Sequence, residues 1–264
     1  MLRSMYSSIS GLKNFQQKLD VTSNNISNVN TFGFKKGRAT FSDMVSQQIA
    51  GATGPTDTRG GSNPRQVGLG AQLSSIDTIH TQGSLQNTNR ELDLGISGDG
   101  FFRVNDGEQD YYTRAGNFYL DAEGDIVNSN GMYLNDGDGE TINIPTNARS
   151  FSIGSDGTVN YVDDGGELQE AGQISLIQFP NPEGLQKAGN NLYQETDNSG
   201  EPEDPVVPGE GGSGQLVAGT LEMSNVDLSE EFTEMIVAQR GFQANTRGIT
   251  TADEILQELM NLKR

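Results

Sequence analysis

Cysteine and tryptophan are absent from this 264-residue chain, and histidine occurs once, at His80. Without cysteine there is no disulfide framework, iron–sulfur cluster, zinc ribbon or thiol nucleophile. One histidine excludes a multi-histidine metal site, and a Ser/His/Asp triad could use only His80. Hydrophobic residues make up just 33% of the chain, and no apolar run approaches the ~18 residues of a membrane span. Basic residues are outnumbered 17 to 36, for a net charge of −19. That balance argues against nucleic-acid binding, which needs a basic footprint, and against an anionic membrane surface. The first twenty residues lack the continuous apolar stretch and small-residue cleavage site of a secretory signal. Export, if it occurs, is expected to keep the N-terminus.

What is present is concentrated at the ends. Residues 1–40 carry six basic side chains against Asp20 alone, whereas residues 226–264 carry seven acids and four bases. Such opposite signs suit two ends that must find each other in register, and equally two solvated helix faces of unrelated charge. At the N-terminus Leu2, Met5, Ile9, Leu12, Leu19 and Ile26 follow a heptad, with Gln16 and Ser23 in the gaps. This predicts a helix over about 4–28 that stops in the Asn-rich stretch 24–30, since Asn competes for backbone hydrogen bonds. At the C-terminus Leu228, Phe232, Met235, Phe242, Ile249, Leu256 and Met260 repeat the pattern, widened by Ile236, Ile255, Leu259 and Leu262. Ser229 is the expected N-cap. Neither helix can bury its stripe alone, so the two are expected to pack on each other or on copies of themselves.

The middle, about 66–223, reads as all-β. Ten short β-prone runs recur from Ser75–His80 to Leu216–Met223, punctuated by six Asp-Gly pairs. Asp-Gly tolerates the positive φ of type I′ turns, which predicts a meander of hairpins. Gly51–Pro64 and Ser199–Gly214 read as loops too polar to order themselves. The expected fold class is therefore α+β, with N- and C-terminal helices pairing in a coiled-coil-like layer and an all-β middle of hairpins. The expected divisions are 1–30 with 225–264 as a helical polymerisation domain, 31–90 as a connecting region with an extended loop, and 91–224 as a β-rich outer domain.

Chemistry-bearing motifs are weak. Gly209, Gly211 and Gly214 match G-x-G-x-x-G, but a Pro-rich loop precedes them and a strand-like run follows, the reverse of a phosphate-binding turn. Asn135–Glu140 has oxygen ligands without the spacing of an EF-hand and reads better as overlapping turns. No catalytic, cofactor-binding or metal-binding residue is expected, and His80 reads as structural or exposed.

The stretch Asp20–Lys35 (DVTSNNISNVNTFGFK) resembles the N-terminal signature of bacterial flagellar rod and hook proteins, through Asn24, Asn25, Asn28, Val29, Thr31, Gly33 and Phe34. Ser224, Asn225 and Val226, with Gln239 and Arg240, resemble the other end of that family. Glu91–Val104 (ELDLGISGDGFFRV) and Tyr112–Phe118 (YTRAGNF) resemble the start of its β domain. The likeness covers both ends and the first part of the middle.

The resemblance implies a structural subunit, not an enzyme. Such subunits are exported unfolded by the flagellar type III apparatus and self-assemble into a helical tube outside the cell. Leu2, Met5, Ile9, Leu12, Leu19, Ile26, Phe232, Met235, Ile236, Phe242, Ile249, Leu256 and Leu259 would form the subunit interface of its inner wall. Phe41–Met44, Val67–Gly70 and Asn261–Arg264 look hook-like, so the first expectation is the hook, a flexible torque-transmitting joint. Its further partners would be the distal rod, the hook cap and the hook–filament junction proteins. The alternative is the distal rod itself, a drive shaft. A rival outside the family is an extracellular glycan- or calcium-binding β protein.

Overall fold

A computed structural model describes residues 2–55, 58–137 and 139–261, the side chain of Leu2 apart. The described residues form a long helix α1 (Leu2–Ser27), nineteen strands and a final helix α2 (Leu228–Asn261). No described helix is long and apolar enough to cross a membrane. The described residues group into two compact units. One gathers α1, Gly37–Asp77 and α2; the other gathers Asn28–Lys36 and Thr78–Val226.

In the first unit α1 and α2 pack against each other, one of the two arrangements the sequence leaves open. The cap of α2 differs from the expectation. Asp227, not Ser229, is the N-cap: its Oδ1 accepts from the backbone N–H of Ser229 at 2.7 Å and of Glu230 at 3.4 Å. A carboxylate there satisfies orphan N–H groups and meets the positive helix end as well. Strands β1 (Gly37–Asp43) and β4 (Ala71–Thr78) pair beside α1, and β2 (Ser46–Ala50) pairs antiparallel with β3 (Arg65–Gly68). The described residues of 51–64 thus continue the hairpin arm through mutual Thr53–Ser62 backbone bonds of 3.0 Å, where the sequence predicts a loop too polar to order itself. Every residue of β2 and β3 is exposed. Hydrogen-bonded backbone, not apolar burial, orders the arm.

The second unit is the predicted all-β body. Its largest sheet orders Gln186–Gly189, Leu192–Gln194, Asp110–Thr113, Phe101–Asn105, Tyr133–Leu134, Ile126–Val127 and Tyr119–Leu120, and Leu176–Ile177 also pairs with Phe101–Asn105. A three-stranded meander, 150–153, 158–162 and 168–173, accompanies it. Leu94, Ile96, Phe102, Val104, Phe118 and Leu134 are wholly buried in its core. Each such side chain contributes about 1.5–3 kcal/mol over leaving it in water.

The hairpin turns are real but of another type. Gly154 N–H donates to Thr158 O (2.8 Å) and Gly157 N–H to Gly154 O (3.1 Å); Asp163 N–H to Glu167 O and Gly166 N–H to Asp163 O repeat the pattern. Only the glycine takes positive φ, +82° at Gly157 and +80° at Gly166. These are type I turns closed by a left-handed residue, in place of type I′. Asp99-Gly100 joins no hairpin, because its flanking strands pair elsewhere. Thr141–Ile144, expected as a strand, contributes only isolated bridges at Thr141 and Asn143. Ser199–Gly214, expected as a free loop, is anchored: Leu176 and Val206 exchange both backbone bonds at 3.0 Å.

Candidate assembly interface

The two helices approach most closely at glycines, one position round from the apolar stripes. A Cβ at Gly11 would lie 2.9 Å from Asn245 Nδ2, a Cβ at Gly248 would lie 3.2 Å from Ser8 Oγ, and a Cβ at Gly241 would run into the Phe15 ring. The buried residues of α2 are Glu231, Ala238 and Ala252; Thr22 and Asn25 are buried on α1. Positions 238, 241, 245, 248 and 252 of α2 are themselves spaced 3, 4, 3, 4, and so are 8, 11, 15, 18 and 22 of α1. The seam is a heptad lying one residue, about 100°, round each helix from the apolar one. Small side chains carry no hydropathy signal, so periodicity alone selects the neighbouring stripe.

Charge fastens the seam. Lys18 Nζ lies 3.4 Å from Glu234 Oε2, and Asn25 Nδ2 donates to Glu231 Oε2 at 3.2 Å. The opposite signs of the two ends thus meet at the Lys18–Glu234 pair.

The predicted interface residues keep their apolar surface. Among the described side chains Ile9, Phe232, Ile236 and Leu259 are exposed, the last three by 50–58%. Met5, Leu12, Leu19, Ile26, Met235, Phe242, Ile249 and Leu256 are half-buried. The side chain of Leu2 and residue Leu262 lie outside the described residues. Val237 and Met260, at 56% and 74%, extend the exposed surface. So much large apolar surface on one helix marks an interaction face.

The motif residues divide differently. Asn25 clasps Gly37 through both backbone groups: its Nδ2 donates to Gly37 O at 2.8 Å and its Oδ1 accepts from Gly37 N at 2.9 Å. Asn225 does the equivalent in the β unit, accepting from Lys36 N at 2.8 Å and donating to Ile79 O at 2.8 Å. Gly33, at φ +68°, has backbone of Ala115 within 2.6 Å of where a Cβ would sit, so only glycine fits there. Phe34 and Val226 are buried, Asn28, Val29, Thr31 and Ser224 are half-buried, and Asn24, Gln239 and Arg240 are exposed.

One cluster escapes sequence reading. Lys35 Nζ lies 2.6 Å from Glu222 Oε1 and donates to Thr81 O at 2.8 Å; Arg114 Nη1 lies 3.4 Å from Glu222 Oε2 and donates to Gly98 O at 2.9 Å. All three charges are at most 3% exposed. Burial pulls the Lys35 and Arg114 pKa values down, with Glu222 opposing it in both. His80 stacks near Phe101 and Tyr193, and burial, followed by repulsion from Lys35 and Arg114, pushes its pKa down to about 3. Its surroundings favour the neutral imidazole. Among the described residues no group of three or more His, Cys, Asp or Glu could hold a metal.

Residues 5–35 match a family described as flagella basal body rod protein, 95–161 the flagellar hook protein FlgE/F/G D1 domain, and 217–262 the flagellar basal body rod FlgEFG protein C-terminal region. The chain is 60% identical over 264 residues, all of both chains, to the flagellar basal-body rod protein FlgG of Bacillus subtilis (strain 168). The chain belongs to the flagellar rod and hook protein family. Another relative is the FlgG rod protein of Buchnera aphidicola subsp. Acyrthosiphon pisum, 40% identical over 268 residues that cover 99% of this chain and all of the relative. The flagellar hook protein FlgE of Borreliella burgdorferi is 33% identical over an alignment of 445 positions spanning both chains. Membership makes this an axial structural protein of the bacterial flagellum. The family matches also coincide with the elements: two fall on the helical ends and one on the core of the β body.

Proposed function

We propose that the chain is a structural subunit, and not an enzyme, of the distal rod. Copies assemble into a helical tube that carries torque as a drive shaft. The observation that carries this reading is the end-to-end likeness to a rod protein, 60% identical over an alignment as long as the chain itself. The hook alignment needs 445 positions for the same 264 residues, so a hook protein of that kind holds long segments with no counterpart here. The hook remains the second reading, supported by the hook-like stretches Phe41–Met44 and Val67–Gly70 and by that 33% identity.

In either reading the exposed stripe Ile9, Phe232, Ile236 and Leu259, with half-buried neighbours such as Met5, is covered by sister copies in the wall of the tube. The other partners are the flagellar type III export apparatus, which passes the chain unfolded without cleaving a signal, and the adjoining axial proteins. A chain free of disulfides suits that route. Electron microscopy of polymerised full-length protein tests the reading. Straight tubes are expected, curved tubes would favour the hook, and failure to polymerise at any concentration or salt would refute both.

A further inference from the structure

The helical unit holds a groove of about 580 Å³ between α1 and the base of the arm. Tyr6 and Ile9 line it from α1, and Met44, Leu69 and Leu73 from the other side. Arg3 and Lys13 stand among its lining residues, which include no acid. Neither cation makes an ion pair among the described residues. Tyr6 is 68% exposed here. The groove is therefore apolar, basic at its edge and open.

Two stretches of α2 could supply an apolar ridge. Around Phe232 and Ile236 the acids are already spent: Glu231 bonds Asn25 and Glu234 pairs with Lys18. The last turns differ. Ile255, Leu259 and Met260 are exposed, and Ile255 and Leu259, four apart, form one ridge along the helix. Glu254 and Glu258 run beside it at the same spacing with no ion pair among the described residues, and no basic residue follows Arg247 within α2 as described.

We propose that the Ile255–Leu259 ridge of one copy seats in the groove of the next, with Glu254 and Glu258 meeting Arg3 and Lys13. This rests on the self-assembly reading and adds which surfaces join. Ridge and groove are different surfaces of the molecule, so the contact is head-to-tail. Head-to-tail contacts that do not close a ring propagate as an open helical filament.

The chain has no cysteine, so single cysteines report contacts unambiguously. Full-length Ile9→Cys and Leu259→Cys chains are mixed, polymerised and oxidised, and covalent dimers are resolved on a non-reducing gel. The heterodimer is expected in at least tenfold excess over that from Leu168→Cys, an exposed position of the β unit, mixed with Leu259→Cys. As a second readout, Lys13→Glu is expected to lower polymer yield at least tenfold, and adding Glu258→Lys to the same chain to restore it. Polymers that form without the excess cross-link, or a charge swap without rescue, would overturn the ridge-and-groove contact and leave the self-assembly reading standing. Wild-type protein that never polymerises would overturn both.

Discussion

The ring of Phe15 occupies the space that a Cβ at Gly241 would need. This contact sets how closely the terminal helices approach, and it turns glycine, normally a liability inside a helix, into a requirement. Gly241→Ala gains ~1 kcal/mol of helix propensity but overpacks the seam at a cost of about 1–3 kcal/mol. Net destabilisation of up to about 2 kcal/mol is expected from urea unfolding followed by circular dichroism. Gly248→Ala behaves oppositely. Its Cβ meets only Ser8 Oγ at 3.2 Å, and a hydroxyl can turn away. That variant is expected to be neutral or more stable by up to ~1 kcal/mol.

Removing Glu222 leaves two buried cations facing each other. Glu222→Ala is expected to cost about 3–5 kcal/mol, the range for breaking a buried pair from one side. Lys35→Met should cost less, because Glu222 keeps Arg114 and the Gly83 N–H at 2.9 Å. Equal losses in a chemical-denaturation comparison would show that the Lys35 pair, not the three-way arrangement, holds the site.

His80 stays neutral in the folded protein down to about pH 3, against 6.5 for a free imidazole. The unfolded chain therefore binds the extra proton first as pH falls. Sign and window follow: this group does not affect stability above pH 6.5, and it erodes stability progressively between pH 6.5 and 3. As the chain's one histidine, it is expected to give a single imidazole NMR signal still in its neutral form at pH 5. A midpoint near 6.5 would mean that the ring is solvated.

Phe232→Asp and Ile236→Asp separate folding from assembly. Both side chains are half exposed or more, so monomer stability should change by no more than about 0.5 kcal/mol. Polymer yield, read by sedimentation, should collapse. A large loss of thermal stability in the dilute monomer would instead make these residues part of its own core.

The β unit holds 25 acidic and seven basic residues, the helical unit 11 and ten. Repulsion between copies is thus mainly repulsion between β units. Raising the salt from about 0.05 to about 0.5 M shortens the screening length severalfold and is expected to increase polymer yield in a sedimentation assay. Equal or poorer polymerisation in concentrated salt would count against this.

Local sequence signals reach as far as local physics does. The 3.6-residue period of Leu2–Ile26 and Leu228–Met260 identifies both helices, because helix formation and one-sided burial are read from neighbours three and four apart. Phe101–Asn105 and Thr158–Val162 are legible as strands for the same kind of reason, as are the glycine-closed turns. The type of turn is not legible, because in the turns 154–157 and 163–166 only the glycine at the fourth position, and no aspartate, takes the left-handed conformation. Nor is the cap of α2: Asp227 and Ser229 are both good capping residues, and only the path of the chain chooses between them.

The sequence by itself determined that this chain has two amphipathic helical ends, an acidic β body and the motifs of a flagellar axial protein. Only the tertiary structure decided that Gly11, Gly241 and Gly248 lie in the seam, with Ile9, Phe232, Ile236 and Leu259 left exposed beside it. It also brought Lys35, Arg114 and Glu222 together across up to 187 residues. The physical reason is the same in both cases. A gap where a side chain is missing, and a charge neutralised by a distant partner, exist only in three dimensions; neither leaves a periodicity along the chain.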